Sequence, residues 1–431
     1  MNRKIAILGF GREGKSLLKF LKKSPEFHNA KIEILDKKFG KNYLKNLKRF
    51  DIIFRSPGIP YTLPQLYQAR CDGVKVSSAT KLFFEIIKKD SRFKPQASRK
   101  IIGITGTKGK GTTSTLIYKI LKSSGFKTVL AGNIGKPMLD TLAEAKKADF
   151  VVLELSSFQL QDLPYSPDIA VVLDIFPDHL DQHKSLREYY GSKANIGRFQ
   201  KKSDEIFYFA DNKITSQIAS KSPAHKFPIQ APEDNLAKNS FMAASVSRHL
   251  GAPEKIIQKT IKNFRGLEHR LELIYTMKIH SNVLKNLRIS FYNDSAATNP
   301  EATAMAIKTL SHVTSPMSLV LIAGGKDKGL DYRPLAKTIK KSGLVKSVIL
   351  FGENKNKINK ELLTNNMKLE TKMVENLKTA VKLAYQTAQS IITNYQLPVT
   401  ILFSPASASF DMFKNYQDRG DQFKKIARDI K

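Results

Sequence analysis

The chain has 431 residues, 41% of them hydrophobic, and a formal net charge of +34. This length predicts roughly two to four domains with sizeable cores, and no apolar run reaches the roughly 18 residues that a membrane span needs. A single cysteine, Cys71, excludes an internal disulfide and fits a reducing cytoplasm. The charge indicates anionic partners, either nucleic acid or charged nucleotides, but the lysines are spread over the whole length and form no RNA-binding or helix-turn-helix motif.

The first block of the chain carries a glycine pattern that is typical of nucleotide binding. An apolar strand, KIAIL, leads into Gly9, Gly11 and Gly14 with the spacing G-x-G-x-x-G, and a helical segment follows. A second strand ends at Asp36, and a third ends in an S-P-G turn at residues 56–58. This order matches a dinucleotide-binding fingerprint, and it suits any nucleotide diphosphate at a helix N-terminus. A tight turn without a ligand is the alternative interpretation.

The second block opens with GITGTKGKGTTST, where a strand, a glycine-rich loop around Lys110 and a helix N-terminus follow one another. Free backbone N–H groups and the helix dipole then face anionic oxygens, which predicts a nucleoside triphosphate site. Ile104 stands where the common phosphate loop has its first glycine, and Gly111 replaces the hydroxyl residue after the lysine. Thr112 is therefore the nearest candidate to hold Mg²⁺, with Thr113 as the second choice. A glycine-rich turn without a ligand is the alternative.

Further apolar runs in this block, KTVLAGN, DFVVLELSS, DIAVVLDI and DEIFYFA, alternate with helical segments. They predict a parallel sheet that is covered on both faces. Asn133, Glu154 and Ser157 follow the strand ends, where open α/β sheets bind ligands. The Glu154 carboxylate suits the Mg²⁺ of a triphosphate. The segment PDHLDQH offers His179 near carboxylates as a ligand for a second cation, and a solvated loop is the alternative.

A third block begins near GLEHRLELI, and its strands are RISFYND, SLVLIAGG, KSVILFG and VTILFSPAS. The polar stretch SRFKPQAS predicts a first linker, and a second linker is expected around residues 262–272. We therefore predict an α/β protein with three domains, at residues 1–97, 98–268 and 269–431. The first and third domains are expected to be Rossmann-like, and the central one to be a parallel-sheet phosphate-loop ATPase domain.

The motifs, taken in chain order, resemble a known family. GTKGKGTT, AGNIG, LELSSFQL, FPDHLDQH with YYGSKANI, EHRLE, YNDSAATNP, GGKDKGLDY and SPASASFDMFKNYQDRGDQF span essentially the whole chain. They resemble the Mur ligases of peptidoglycan synthesis, most closely those that add D-glutamate to UDP-N-acetylmuramoyl-L-alanine. The resemblance implies a cytoplasmic, monomeric carboxylate–amine ligase that uses ATP, forms an acyl phosphate and closes its domains around its substrates. It implies two Mg²⁺ ions and neither a nucleic-acid partner nor a membrane span.

The resemblance also assigns chemistry to matching positions of this chain. The lysine that matches Lys193 is typically carbamylated in the family, which turns a cation into an anionic oxygen ligand. The implied catalytic residues are Lys110, Asn133, His179 and Lys193, and the implied metal ligands are Thr112, Glu154, His179 and Lys193.

Three sets of binding residues follow from the same resemblance. The ATP contacts would be Gly106, Thr107, Lys108, Gly109, Lys110, Gly111, Thr112, Thr113, Asn239, Arg270 and Asp294. The UDP-sugar contacts would be Gly11, Arg12, Glu13, Gly14, Asp36, Lys37, Ser56, Pro57, Gly58, Asn133, Ser157 and Gln159. The D-glutamate contacts would be Thr298, Lys328, Ser409, Phe410 and Tyr416.

Two positions depart from the family pattern. Ala296 stands where D-glutamate-adding ligases usually carry lysine, so a substrate carboxylate contact is expected from Lys326 or Lys328 instead. Asn235 and Asn239 are four residues apart rather than the usual three, and Asn239 is the one carried over as an adenine contact.

Other functions remain open on the sequence. A dehydrogenase would use the first glycine motif but would leave the phosphate loop without a role. A nucleic-acid-dependent ATPase would use the charge and the phosphate loop. Another amide ligase of the superfamily, such as a folylpolyglutamate synthetase or a Mur ligase for a different amino acid, is the strongest alternative. The third block contains no D-N-P-R motif of the kind expected for a diamino acid.

Overall fold

The computed structural model describes residues 3–40, 42–89, 99–177, 183–230, 232, 235–279, 287–313, 317–364 and 369–430, without the side chains of 235–237 and 312–313. The chain divides into two compact units, Met1–Phe264 and Arg265–Lys431. In the residues that the structure describes, the first unit contains two sheets and the second contains one. The predicted boundary at residue 97 falls outside the described residues, and the three-domain division stays a prediction.

The first sheet is parallel throughout the part that the structure describes. It comprises β1 (Lys4–Leu8), β2 (Lys31–Leu35), β3 (Ile52–Arg55) and β4 (Lys75–Ser77), in the order β2-β1-β3-β4. In the helix that follows β1, Leu17 and Leu21 are buried four residues apart while the lysines face solvent, as expected of an amphipathic helix. The helices of this part are α1 (Arg12–Lys23), α2 (Pro64–Cys71) and α3 (Ala79–Lys89).

The second sheet is also parallel, as the near-continuous apolar runs predicted. Its strands are β5 (Lys100–Thr105), β6 (Thr128–Gly132), β7 (Phe150–Glu154), β8 (Ile169–Val172), β9 (Glu205–Phe209) and β10 (His225–Ile229), in the order β10-β9-β8-β5-β7-β6. Its helices are α4 (Lys110–Ser123), α5 (Leu142–Ala145), α6 (Ser157–Leu160), α7 (Leu186–Arg198), α8 (Lys213–Ser220), α9 (Asn235–His249) and α10 (Glu254–Lys262).

The third sheet, in the second unit, is mixed. Its strands are β11 (Glu272–Lys278), β12 (Arg288–Asn293), β13 (Ser318–Gly324), β14 (Val345–Phe351), β15 (Glu370–Met373) and β16 (Val399–Phe403), in the order β11-β12-β16-β13-β14-β15. Among the described strands of this sheet, only β11 runs antiparallel to its neighbour, and the chain between β11 and β12 is too short for a parallel crossover. The α/β prediction is thus confirmed. The helices are α11 (Pro300–Val313), α12 (Arg333–Ser342), α13 (Lys355–Thr364), α14 (Leu377–Tyr395) and α15 (Tyr416–Asp429).

The core of the first unit is shared between its two sheets. One cluster of buried side chains extends from Ile5 and Ile7 of β1, through Phe83 of α3, to Val151 and Leu153 of β7. Burial of apolar surface contributes roughly 25 cal/mol per Å², so this shared core stabilises the two sheets as one body. No helix in the described part of the chain is long and apolar enough to span a membrane.

The register of the second sheet brings several strand ends to one edge. Ile104 pairs with Glu154, and Gly132 also pairs with Glu154 on the other side of β7. Thr105 pairs with Val172. The loop after β5 and the polar residues after β6 and β7 therefore meet at the carboxyl edge of the sheet, where open α/β folds bind ligands.

Candidate active site

The glycine-rich loop joins β5 to α4 as the sequence predicted. Gly109 precedes the first helical residue, Lys110, and has a φ of 80°, which is a left-handed conformation that favours glycine. An added Cβ at Gly109 would also collide with Oδ1 of Asn239 on α9. The start of α4 thus presents the N–H groups of a helix N-terminus at a loop on which Asn239 packs, a geometry that suits phosphate oxygens.

Two lysines approach the same carbonyl of this loop. The Nζ of Lys110 donates to the carbonyl oxygens of Gly106 at 2.9 Å and Thr107 at 3.0 Å. From α7, Lys193 donates to the Gly106 carbonyl at 2.8 Å, and its side chain lies over the ring of Tyr189. Lys193 is only 2% exposed. The Lys110 ammonium adds positive potential at the loop, which is the sign needed to attract a phosphate, and Lys193 brings a second side chain to the same carbonyl.

The two threonines of the loop differ in burial. Thr112 is half-buried, whereas Thr113 is fully buried and its hydroxyl has no hydrogen-bond partner among the described residues. Gly111, between the lysine and Thr112, is buried as well. Of these two threonines Thr112 is the less buried, and its role as a metal ligand stays a prediction.

Glu154 and Asn133 form the polar pair beside the loop. Glu154 ends β7 and is 3% exposed, and its Oε1 accepts a hydrogen bond of 2.8 Å from the Asn133 side chain. Its Oε2 is buried without a hydrogen-bond partner in the described part of the chain. A buried carboxylate oxygen without a donor costs free energy, so this atom suits a cation ligand.

The segment after β8 was predicted to carry a second cation ligand. His179 lies outside the described residues. The neighbouring His183 is described, and its Nε2 lies 3.0 Å from the Ser157 hydroxyl while its ring stacks on Phe158. Ser157, a predicted UDP-sugar contact, is buried at the start of α6, and its hydroxyl lies against His183.

The glycine motif of the first sheet folds as the fingerprint requires. Gly14 packs so close to the Gly9 carbonyl oxygen that a Cβ would overlap it. Gly11 precedes the first residue of α1, and the Ser56 hydroxyl donates to the Gly9 carbonyl at 2.7 Å. The glycine loop and the turn at 56–58 therefore lie side by side, which brings two predicted parts of the UDP-sugar site together.

Asp36, predicted as a UDP-sugar contact, already accepts backbone hydrogen bonds. Its two oxygens accept from the N–H groups of Phe10 at 2.7 Å and Lys38 at 3.0 Å. Burial by itself raises the pKa of Asp36, but these hydrogen bonds and the charges of Lys37 and Lys38 hold it below its usual value. The carboxylate thus fixes the turns after β1 and β2, and the exposed Lys37 is left as the cation beside it.

Arg12, Glu13 and Gln159 were predicted as UDP-sugar contacts, and the structure gives each of them a partner within the first unit. Arg12 donates to the carbonyl oxygens of Gly132, Asn133 and Gly135 at 3.1 Å each. Gln159 donates to Glu13 at 2.6 Å, and burial raises the pKa of Glu13. These side chains therefore connect α1 to the carboxyl edge of the second sheet, an arrangement that sequence reasoning did not foresee.

A buried ion cluster was missed altogether. Arg55 pairs with Asp162 at 2.9 Å, and Asp162 also pairs with Lys81 at 2.8 Å. The sequence signal was a charged residue at the end of the apolar run DIIFR, but nothing local identified its partner, which is more than a hundred positions away in sequence.

In the second unit, Asp294 and Arg270 are the predicted nucleotide contacts. Asp294 is buried, and its oxygens accept from the Ser404 hydroxyl at 2.7 Å and the Leu271 N–H at 3.2 Å. Burial raises the pKa of Asp294 to about 7, against the effects of these hydrogen bonds and of Arg270. Arg270 is exposed and follows His269, whose φ is 63°.

The predicted D-glutamate contacts partly cluster. The Nζ of Lys328 lies 5.7 Å from the centre of the Phe410 ring, and Phe410 is 65% exposed, while the adjacent Ser409 is buried. Tyr416 begins α15, where its carbonyl oxygen accepts from Ser295 at 2.8 Å. Thr298 is half-buried, in the segment before α11.

The chain matches known proteins over its full length. Residues 104–273 match the family model of the Mur ligase middle domain, and residues 270–393 match that of the Mur ligase, glutamate ligase domain. The UDP-N-acetylmuramoylalanine–D-glutamate ligase of Acetivibrio thermocellus is 33% identical, covering 100% of this chain and 97% of the relative. The enzyme of the same name from Clostridium acetobutylicum is 32% identical with the same coverage.

Solved structures share the fold at lower identity. UDP-N-acetylmuramate–alanine ligase from Thermotoga maritima superposes with a TM-score of 0.57 at 16% identity, over 100% of both chains. Folylpolyglutamate synthase from Mycobacterium tuberculosis gives a TM-score of 0.58 at 13% identity, over 80% of this chain and 94% of that one. The chain therefore belongs to the Mur ligase family of ATP-dependent amide ligases, in the group of UDP-N-acetylmuramoylalanine–D-glutamate ligases.

Proposed function

We propose that this ligase joins D-glutamate to the L-alanyl carboxylate of UDP-N-acetylmuramoyl-L-alanine, with ATP as the phosphoryl donor. The observation that carries the ATP-dependent step is the phosphate loop itself, where Lys110 and Lys193 meet at Gly106 O beside a buried carboxylate oxygen of Glu154 without a partner among the described residues. The choice of acceptor and amino acid is supported by the full-length relatives that carry this activity in their names.

The donor set at the loop fits Mg²⁺. Glu154 Oε2 and the hydroxyl of the half-buried Thr112 are hard oxygen ligands, which Mg²⁺ prefers. A bound Mg²⁺ would offset the negative charge of the triphosphate. We assign a second ion to His179 and to Lys193 in carbamylated form. The burial of Lys193 at the loop supports this, because a carbamate would place an anionic oxygen there.

The chemistry proposed for the chain is mostly positioning and charge compensation. Lys110 neutralises phosphate oxygens, so that the L-alanyl carboxylate oxygen can approach the γ-phosphorus. Attack there forms an acyl phosphate and releases ADP. The neutral amine of D-glutamate then attacks the activated carbonyl carbon, and inorganic phosphate leaves as the amide forms. Asn133, held by Glu154 at 2.8 Å, presents its side chain at the same edge to orient the reacting groups.

The first sheet is proposed to hold the UDP portion. The N-terminus of α1, which follows Gly11 and contains Gly14 in its first turn, offers N–H groups and a positive dipole end to the diphosphate. The turn at 56–58 forms the neighbouring wall, and the exposed Lys37 offers a cation at the outer side of Asp36.

Lys328 is the proposed contact for a carboxylate of D-glutamate. It would replace the lysine that D-glutamate-adding ligases usually carry at the position of Ala296. Lys326 already pairs with Glu353 at 2.7 Å, so its use by the substrate would require that ion pair to break. Lys328 is exposed, and in the described residues its recorded contact is with the Phe410 ring. Thr298, Ser409 and Tyr416 complete the proposed set of D-glutamate contacts.

We further propose that the enzyme is monomeric and acts in the cytoplasm, where it supports cell-wall growth and therefore cell shape and division. The test is phosphate release from ATP with UDP-N-acetylmuramoyl-L-alanine and a series of amino acids. We expect release to require both the UDP-sugar and D-glutamate. Equal rates with L-glutamate, with meso-diaminopimelate or without an amino acid would refute the assignment, as would release driven by DNA, RNA or a folate.

A further inference from the structure

Arg55 is the most completely buried long cation of the first sheet. It ends β3, and its side chain is 1% exposed. One terminal nitrogen donates to the Ile59 carbonyl at 2.7 Å. The other donates to the Phe158 carbonyl at 3.0 Å and to Asp162 at 2.9 Å. A single planar guanidinium therefore bridges two carbonyl groups from separate elements of the first unit.

The charge of Arg55 is compensated inside the fold. The Asp162 side chain is 2% exposed and also pairs with Lys81, whose side chain is 13% exposed. Burial alone raises the pKa of Asp162, but the two cations lower it below its usual value, so the carboxylate is ionised. A buried ion cluster of this kind is often no more stable than apolar side chains of similar volume, so stability does not by itself account for it.

The two bridged carbonyls lie in two segments that carry predicted UDP-sugar contacts, the turn at 56–59 and α6, which would form two walls of the proposed site. Ile59 closes the turn at 56–58, and Ser56 in that turn donates to the Gly9 carbonyl of the glycine loop. Phe158 lies in α6, between Ser157 and Gln159. Any shift between β3 and α6 would therefore change the spacing of groups that are proposed to contact the same substrate.

We propose that Arg55 is a positioning residue for the UDP-sugar, which fixes the 56–59 turn relative to α6 while Asp162 and Lys81 hold its charge. This inference rests on the proposed function, since it assumes that both walls contact the UDP-sugar. Arg55 touches neither the phosphate loop nor the groups proposed for ATP. Its loss should therefore affect the UDP-sugar and leave ATP binding unchanged.

The test compares Arg55→Met, Arg55→Lys, the triple variant R55M/K81M/D162L and the control Arg49→Met, whose side chain is 41% exposed in the short 3-10 helix before β3. We expect Arg55→Met to raise KM for the UDP-sugar by about tenfold or more, because small displacements of positioning groups are costly. KM for ATP should change by less than about twofold, and kcat should change less than KM for the UDP-sugar. Arg55→Lys keeps the charge but not the two-carbonyl fork, so KM should stay raised.

The triple variant separates positioning from stability. Apolar replacement of Arg55, Lys81 and Asp162 together should restore the midpoint of urea unfolding to near that of the wild type. KM for the UDP-sugar should remain raised. Recovery of KM together with the midpoint, or equal increases in KM for ATP, would overturn the proposal. Binding of UDP alone, measured by calorimetry, should weaken in parallel with the rise in KM. If turnover by the wild type does not require the UDP-sugar, the proposed function is wrong. The calorimetry tests the role of Arg55 separately, because an unchanged affinity of Arg55→Met for UDP would reject the inference.

Discussion

Replacing Asp294 by asparagine is expected to change how the stability of the second unit depends on pH. Asp294 is buried between the Ser404 hydroxyl and the Leu271 N–H, and burial raises its pKa from 3.8 to about 7. Between these two values the folded chain keeps a proton that the unfolded chain releases. The free energy of unfolding therefore falls as the pH rises through this window.

The size of the effect follows from the pKa shift. A shift of about three units corresponds to about 4 kcal/mol at 1.36 kcal/mol per unit, lost progressively from about pH 4 to above pH 7. Asparagine at position 294 does not titrate, so the free energy of unfolding of the variant does not fall for this reason as the pH rises. It costs about 1–2 kcal/mol at every pH because its amide cannot accept both hydrogen bonds in the same way.

Urea unfolding of wild type and Asp294→Asn between pH 4.5 and 8.5 provides the measurement. We expect the variant to be the less stable protein at low pH and to gain on the wild type steadily as the pH rises. The exposed Asp331, whose pKa is lowered to about 2 by Arg333, supplies the control. Its folded-state pKa lies below the whole range, so Asp331→Asn should show a constant offset from the wild type above pH 5. A constant offset for Asp294→Asn as well would refute the reasoning.

Three further predictions concern the phosphate loop. Lys110→Ala should keep the fold and lower kcat by at least about 100-fold, since one such electrostatic contact is worth roughly 3 kcal/mol; near-normal turnover in a folded variant would contradict its role. Thr112→Ala should raise the Mg²⁺ concentration needed for half-maximal rate, whereas Thr113→Val, at a buried hydroxyl without a described partner, should not; the reverse ranking would place the loop in the wrong register. Lys193→Ala should lose most activity and regain part of it with acetate, and full activity of the alanine variant without acetate would reject the carbamate.

The sequence predicted the interior strands better than the edges. Of the six strands at the edges of the described sheets, β2 and β6 were indicated by apolar runs, whereas β4, β10, β11 and β15 were not. The strand β10 contains Pro228, and β15 reads ETKM with no buried residue. Edge strands need neither two apolar faces nor every backbone donor, so their composition carries a weak signal. Interior strands such as β7 and β13 are buried on both faces and read as continuous apolar runs.

The parts of the site that are local in sequence were also predictable. The turn after β5, the helix that starts at Lys110 and the positions of Asn133 and Glu154 at strand ends all follow from spacing, because parallel strands end at a common edge. The hydrogen-bond partners of individual side chains were not predictable from the sequence. Asp36 has the predicted position, yet backbone N–H groups occupy both of its oxygens.

The sequence by itself therefore determined the fold class, the phosphate loop and the order of its motifs, since periodicity and turn chemistry act over a few residues. Only the tertiary structure decided which distant groups meet. Lys193 reaches the Gly106 carbonyl across 87 positions, and Arg55 reaches Asp162 across 107. Such pairs depend on how whole helices and sheets pack, and a buried charge is tolerated wherever packing supplies its partner. No local pattern encodes that partner, so these contacts appear only when the chain is folded.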